Sequence, residues 1–303
     1  MKNLYLKTIV VALFIISFSC TKKEVVLTAP MITTTDVNVL NDTSVTSGGI
    51  ITSDGGSPIT LRGIVWDLSS NPTIILSTKT NDGSGIGTFS SSTYSLKPGT
   101  TYYVRAYATN SIGTSYGNEV VIKTKILVGS KFGGGVVAYI LQVGDLGYES
   151  NTTHGIIASL VDQSQKILWN SLPDRYDFTL TGANGTKIGT GLTNTNKIIS
   201  VYNSPSGIFA ASIARNYNGG SFNDWFLPSK DELNIVYLNK LKIGGFATYT
   251  LPPNQIDDWY WTSSEINASY AEAIDFTDGH LDGIGGYKGP GGTPYKVRAV
   301  RYF

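Results

Sequence analysis

The side chains able to do acid–base or nucleophilic chemistry are unevenly supplied along these 303 residues: many carboxylates, two histidines (His154 and His280) and one cysteine, Cys20. A single cysteine allows no internal disulfide, no cysteine-rich zinc site and no redox pair. Two histidines fall short of a histidine metal triad, although carboxylates can supplement them. Asp224, Asp231, Glu232, Asp257, Asp258, Glu265, Glu272 and Asp275 crowd the last third of the chain. Any two brought together would suit hydrolysis by a carboxylate pair, but no spacing distinguishes one pair from another, so no enzyme is expected. Asp275-Phe276-Thr277-Asp278-Gly279-His280-Leu281-Asp282-Gly283 offers three carboxylates to calcium without the bidentate glutamate that closes an EF-hand loop. A hairpin turn at Asp278-Gly279 accounts for the run, and no cofactor is expected.

A net charge of +1 with only 15% charged residues gives no electrostatic reason to expect nucleic acid, and the clustered Lys and Arg that phosphate backbones require do not appear, so no nucleic-acid partner is expected. The run Gly129-Ser130-Lys131-Phe132-Gly133-Gly134-Gly135 precedes the apolar stretch 136–140. A phosphate-cradling loop follows a strand and opens a helix, so nucleotide binding is not expected either. Sugar rings stack on exposed aromatics, and Trp259, Tyr260, Tyr270 and Tyr287, near the glycine-rich loop 283–294, are the candidate ligand-binding residues. Core packing is the alternative for each.

Two kinds of element must position these groups. From residue 30 to 124, short β-rich runs are separated by turn signals such as Asp54-Gly55-Gly56, Asn81-Asp82-Gly83 and Lys97-Pro98-Gly99, the pattern of an all-β Ig-like sandwich. After Pro98-Gly99, Tyr102, Val104, Ala106 and Ala108 alternate onto one face, and the Tyr102 hydroxyl should bond backbone near the turn. Trp66 is expected between the sheets; Tyr103, Arg105 and Tyr107 fall on the opposite, solvent-facing side. From residue 125 onward the pattern turns α+β. A short helix is expected over 207–217, with Ile208, Ala211 and Ala214 inward. A second is marked more strongly: Pro228 stops the preceding strand, Ser229 and Glu232 form a capping box, and Leu233, Val236, Tyr237 and Leu241 form its stripe up to Gly244-Gly245. Strands follow around 259–265, 270–276 and 295–303. Trp225 anchors the approach to the capped helix, and Trp261 packs inward. Arg298 and Arg301 lie three apart on the terminal strand, so they face opposite sides, and one should pair with Glu265 or Glu232 because a core arginine needs a countercharge.

Two resemblances sharpen this picture. Leu96-Lys97-Pro98-Gly99-Thr100-Thr101-Tyr102-Tyr103-Val104-Arg105-Ala106 is similar to the fibronectin type III pattern. The blocks Asp224-Trp225-Phe226-Leu227-Pro228-Ser229-Lys230-Asp231-Glu232-Leu233, Tyr260-Trp261-Thr262-Ser263-Ser264-Glu265 and Val297-Arg298-Ala299-Val300-Arg301 resemble the DUF1566 family. That family is represented by the C-terminal domain of a Legionella collagen-like adhesin and is similar to Fibrobacter major-paralogous domains. With 133–139 and 154–158 included, the resemblance covers most of residues 129–303. It implies a C-type-lectin-like fold related to formylglycine-generating enzymes. Those relatives use cysteines or several histidines, which this part of the chain lacks, and the Glu-Pro-Asn and Gln-Pro-Asp sugar motifs of calcium-dependent lectins are also missing.

Residues 1–19 combine Lys2 and Lys7, an apolar run over 8–18 and the small Ser19 directly before Cys20, and about eleven apolar residues are too few to span a bilayer. This resembles a bacterial lipoprotein signal, with Cys20 as the lipidated mature N-terminus, although Ser17-Phe18-Ser19 lacks the leucine usual in that motif. The expected organisation is a signal peptide over 1–19, a tether over 20–29, a fibronectin type III-like sandwich over 30–124 and a lectin-like head over 125–303. The combination resembles Bacteroidetes outer-membrane lipoproteins acting in adhesion or extracellular carbohydrate binding, with the sandwich as spacer. The alternatives are a protein-binding subunit of a surface complex and an unrecognised enzyme of the formylglycine-generating type. Cys20→Ser is expected to move the protein from the membrane fraction to the soluble fraction and abolish incorporation of a labelled fatty acid; unchanged fractionation would sink the anchor.

Overall fold

The computed structural model describes residues 26–170, 179–202, 207–246, 258–281 and 285–303. Cys20, the leader and Asp257 lie outside the described residues. No described helix is long and apolar enough to cross a membrane.

Residues 31–123 form a sandwich of two antiparallel sheets. In one, β3 (Val45–Ser53) pairs with β1 (Met31–Thr34), β2 (Asn38–Val39) and β5 (Gly87–Thr93). In the other, β6 (Thr101–Thr109) pairs with β4 (Leu61–Asp67), β7 (Thr114–Tyr116) and β8 (Val120–Lys123). Alternation turns Ile51 and Phe89 of one sheet toward Ala106 and Ala108 of the other. The sheets approach closely at Gly49, where a Cβ would stand 2.8 Å from both the Phe89 ring and the Ala106 side chain. Tyr102 is buried with Val45 and Leu96, and its hydroxyl accepts from the Lys97 amide at 3.0 Å, as the Pro-Gly turn led us to expect. Trp66 packs against the same cluster, whereas Leu68, two residues on, is exposed.

The expected solvent-facing stripe is not one. Tyr107 is fully buried and donates its hydroxyl to the Thr80 carbonyl, and burial pushes that phenol upward. Arg105 is half-buried, donates to the Gly117 carbonyl at 3.1 Å and lies 4.7 Å from the centre of the Tyr116 ring. The cause is segment 78–83, which runs alongside β4 through bonds such as Thr80 N–H to Ile64 O. It covers a face that alternation alone leaves bare.

Among the described residues, the second unit contains two sheets. One joins β9 (Lys131–Phe132), β10 (Gly135–Ile140), β11 (Gly155–Ser159) and β17 (Val300–Tyr302); the other joins β12 (Ser164–Ile167), β16 (Tyr295–Val297), β13 (Trp259–Glu265), β14 (Tyr270–Asp275) and β15 (Gly286–Tyr287). Strand β13 is buried on both faces: Tyr260 and Ile274 belong to one core, and Trp261 and Ala273 to the other. Trp261 donates to Ile167 O and Trp169 to Thr262 O, both at 2.8 Å, so the indole N–H groups pin the sheet to the segment 167–169. The expected terminal strand breaks at Arg298-Ala299, between β16 and β17, so its two halves serve different sheets.

Among the described residues, the unit also contains the short α-helices α1 (Gly191–Val201), α2 (Ala210–Arg215), α3 (Lys230–Leu238) and α4 (Lys240–Ile243). Helix α2 starts three residues later than the pattern indicates; Phe209 is buried at its N-cap while Ile208 is 74% exposed. The stripe through Leu241 also fails. The helix breaks at Asn239, which leaves Leu241 84% exposed and buries Ile243 instead. Helix α1 was not anticipated, because it has no acidic first turn and Thr190 makes no side-chain cap.

Its cap comes from elsewhere. Glu232, fully buried, completes the capping box of α3 by accepting from the Ser229 amide at 2.8 Å. The same carboxylate accepts from the amides of Gly189 and Gly191, at 2.8 and 3.5 Å, at the start of α1, and from the Tyr302 hydroxyl of β17. Gly191 admits no side chain, since a Cβ there would stand 2.1 Å from Glu232 Oε2. Glu232→Gln places an NH2 against these N–H donors, so it is expected to lose about 2–4 kcal/mol of stability in urea titration at neutral pH. A loss below 0.5 kcal/mol would deny Glu232 this role.

Candidate functional site

The two core arginines show how the site region is held. Arg298 donates from Nε to Asp162 at 2.6 Å, from Nη1 to Ser159 O at 3.0 Å and from Nη2 to Gly245 O at 2.7 Å, with its guanidinium 3.9 Å from the Phe246 ring centre. Arg301 grips Asp224 bidentately at 2.7 and 2.8 Å and stacks 3.8 Å from the Phe222 ring centre. The expected partners, Glu265 and Glu232, are therefore wrong. Glu265 instead takes Lys288 at 2.6 Å and the amides of Thr181 and Gly182. Asp162 and Asp224 are 136 and 77 residues from their arginines, and no local pattern connects such positions.

The remaining motif residues serve the frame. Trp225 is buried and donates to Gly219 O at 3.2 Å; the Pro228 carbonyl accepts from Ser263 N at 2.7 Å; Ser229 donates to Lys187 O at 2.9 Å. Basic side chains also occupy the other carboxylates near this sheet: Lys230 holds Glu272 at 2.9 Å and Lys296 holds Asp258 at 2.6 Å. Asp275 accepts from the Thr277 amide at the Asp278-Gly279 turn, where Gly279 has φ +82°. Among the described residues, no group of three or more His, Cys, Asp or Glu side chains is placed to hold a metal ion.

Of the four candidate aromatics, the structure removes Tyr260, brings Tyr270 and Tyr287 together and sets Trp259 apart from them. Tyr260 is fully buried, donates to Asp162 Oδ2 at 3.0 Å, and has its phenol pushed upward by burial; it offers no face to a ligand. Its neighbours on β13, Trp259 and Trp261, point the opposite way. Tyr270 and Tyr287 meet edge to face at 5.8 Å on paired strands. Trp259 pairs with Asp275 at the other end of the hairpin, about 17 Å along the strand from Tyr270.

Trp259 makes a site of its own. It is half-buried and stacks on Tyr295 of β16, with ring centres 5.7 Å apart and planes 27° from parallel, while His280 meets its edge at 6.1 Å. The pair walls a recess of about 60 Å3 completed by Gln165, Lys166, Thr293, Pro294 and Lys296. An aromatic wall with amide, hydroxyl and ammonium groups around it suits an apolar ring face carrying hydroxyls. Tyr295, Gln165 and Lys166 were not singled out from the sequence. They reach Trp259 only because β16 lies between β12 and β13 in the sheet.

No protein-family model matches the chain, and no curated protein matches it. Among solved structures, a fragment of chicken CNTN1 containing its FN1–FN3 domains is 19% identical with a TM-score of 0.25, over 33% of this chain and 32% of that one. The chain thus spans about a third of that fragment's length. The sixth fibronectin type III domain of human fibronectin type III domain containing protein 3 is 20% identical with a TM-score of 0.25, over 35% of this chain and 91% of that one. The sensor domain of the anti-sigma factor RsgI4 of Pseudobacteroides cellulosolvens is 20% identical with a TM-score of 0.26, over 34% of this chain and 100% of that one.

The Arg301 pair has a signature in acid. The hydrogen bond from Arg301 holds the Asp224 carboxyl below its ordinary value of 3.8, so its contribution to stability is complete above about pH 4 and is lost as the pH falls through the lower, folded-state value. The stability difference between the protein and its Asp224→Asn variant is expected to shrink as urea titrations move from pH 5 to about pH 2.5. A difference independent of pH would show that the pair does not titrate in this way.

Proposed function

We propose that this chain is an exported lipoprotein, anchored in the outer membrane through Cys20, that acts in adhesion or extracellular carbohydrate binding through its C-terminal unit. In this reading residues 125–303 form a C-type-lectin-like head of DUF1566 type. The fibronectin type III-like sandwich holds it away from the membrane.

The observation that carries the binding reading is the Trp259–Tyr295 stack at the mouth of its recess. The C–H face of a pyranose packs on such rings, and ring hydroxyls find donors and acceptors in Gln165, Lys166 and Thr293 at the rim. The recess admits an edge or one substituent of a sugar rather than a whole ring, which fits a surface that grips part of a longer chain. Neither a cofactor nor catalysis is needed. Asp224, Glu272, Glu265 and Asp258 are paired with Arg301, Lys230, Lys288 and Lys296, and Glu232 accepts from amides and a hydroxyl.

A glycan array probed with the purified protein, with and without calcium, tests this directly. Binding to a defined set of glycans is expected in both conditions, weakened at least about tenfold in Trp259→Ala, where one stacking partner is lost. An array that stays blank in both conditions would overturn the carbohydrate reading, and crosslinking that recovers one envelope protein in stoichiometric amount would replace it with the protein-binding one.

A further inference from the structure

The other sheet of the second unit carries a cavity that the carbohydrate reading does not use. It measures about 260 Å3 and lies between the loop leading from β10 to β11 and the end of β17. Leu141, Leu146 and Phe303 supply apolar walls, and Leu146 stands 66% exposed at its edge. Tyr302 offers its ring alone, since its hydroxyl is already donated to Glu232. This is smaller than the ~300–1,000 Å3 of drug-sized sites and suits a single ring or branched aliphatic group.

One end of the cavity is polar. His154 Nδ1 lies 2.9 Å from the main-chain oxygen of Phe303, which can only accept, so Nδ1 carries the proton. In the neutral ring Nε2 is then an acceptor, and it faces Glu149 Oε2, a second acceptor, 3.4 Å away. In that form an arriving N–H donor can bridge the two acceptors, whereas in the charged ring Nε2–H donates to Glu149 itself. Between Leu141 and His154 the loop contains Asp145 and Glu149 and no Lys or Arg, so the field at this end favours a cation and repels a carboxylate. Glu149 itself is mostly exposed and free to turn toward an arriving group.

We propose that this cavity binds a small primary amine with an apolar body. The body fills the space between Leu141, Leu146 and Phe303, and the ammonium donates to His154 Nε2 and to the Glu149 carboxylate. The site is independent of the Trp259 recess, and neither reading depends on the other.

Calorimetric titration of the full protein at about pH 8 tests the proposal with three probes of one shape: 2-phenylethylamine, phenylacetate and benzyl alcohol. Saturable binding of the amine is expected, with the acid and the alcohol at least about tenfold weaker. Glu149→Gln and Leu146→Ser, both at exposed positions, should each weaken the amine while leaving the unfolding temperature unchanged. No saturable heat with the amine, equal binding of phenylacetate or benzyl alcohol, or unchanged affinity in both variants would each overturn it.

Discussion

A single buried carboxylate organises the second half of this molecule. Glu232 receives the Ser229 amide of its own helix, two amides from the start of α1 and the hydroxyl of Tyr302 on the last strand. Burial pushes its carboxyl upward, and the four donated bonds pull the other way. The Ser229 and Gly191 amides are buried beside it, and leaving either unpaired would cost about 1–3 kcal/mol. The consequence is geometric: α3, α1 and β17 cannot shift relative to one another without stranding one of these groups. Tyr302 is thereby committed to the frame, which leaves the cavity beside it with an aromatic wall and with His154 as its polar end.

The sheets are fastened by the same device at longer range. Arg298 ties the break between β16 and β17 to Asp162 and to the carbonyls of Ser159 and Gly245; Arg301 ties β17 to Asp224. Each guanidinium also lies over an aromatic ring, so its apolar faces and its donors are both satisfied. Removing one member of the buried Arg298–Asp162 pair costs more than the pair is worth, because the other charge remains uncompensated.

Features set by neighbours in the chain were legible in the sequence. Ser229 and Glu232 are three apart, and Lys97 and Tyr102 five apart, so a capping box and a hydroxyl bonded near a turn follow from spacing alone. Helix α1 was not legible, since its capping carboxylate lies 41–43 residues away. Tyr107 was misjudged for a related reason: the alternation on β6 is real, but segment 78–83 closes over the face that alternation left open. The four candidate aromatics share a region of sequence and divide in space. Tyr260 serves a core, Tyr270 and Tyr287 meet each other, and Trp259 finds Tyr295.

The sequence by itself determined the element types over most of the chain, the turn-rich β character of its first part, the strongest helix start and the absence of the cysteines and clustered basic residues that other chemistries would need. Those properties depend on side-chain period, backbone freedom and composition, which are local. Tertiary structure alone decided which carboxylate meets which cation, that β13 is covered on both faces, and that Trp259 acquires a stacked partner and a recess. Ion pairs and ring stacks are short-range contacts between residues far apart in sequence. Their partners are selected by the order of strands in a sheet, and many orders are compatible with the same alternating pattern.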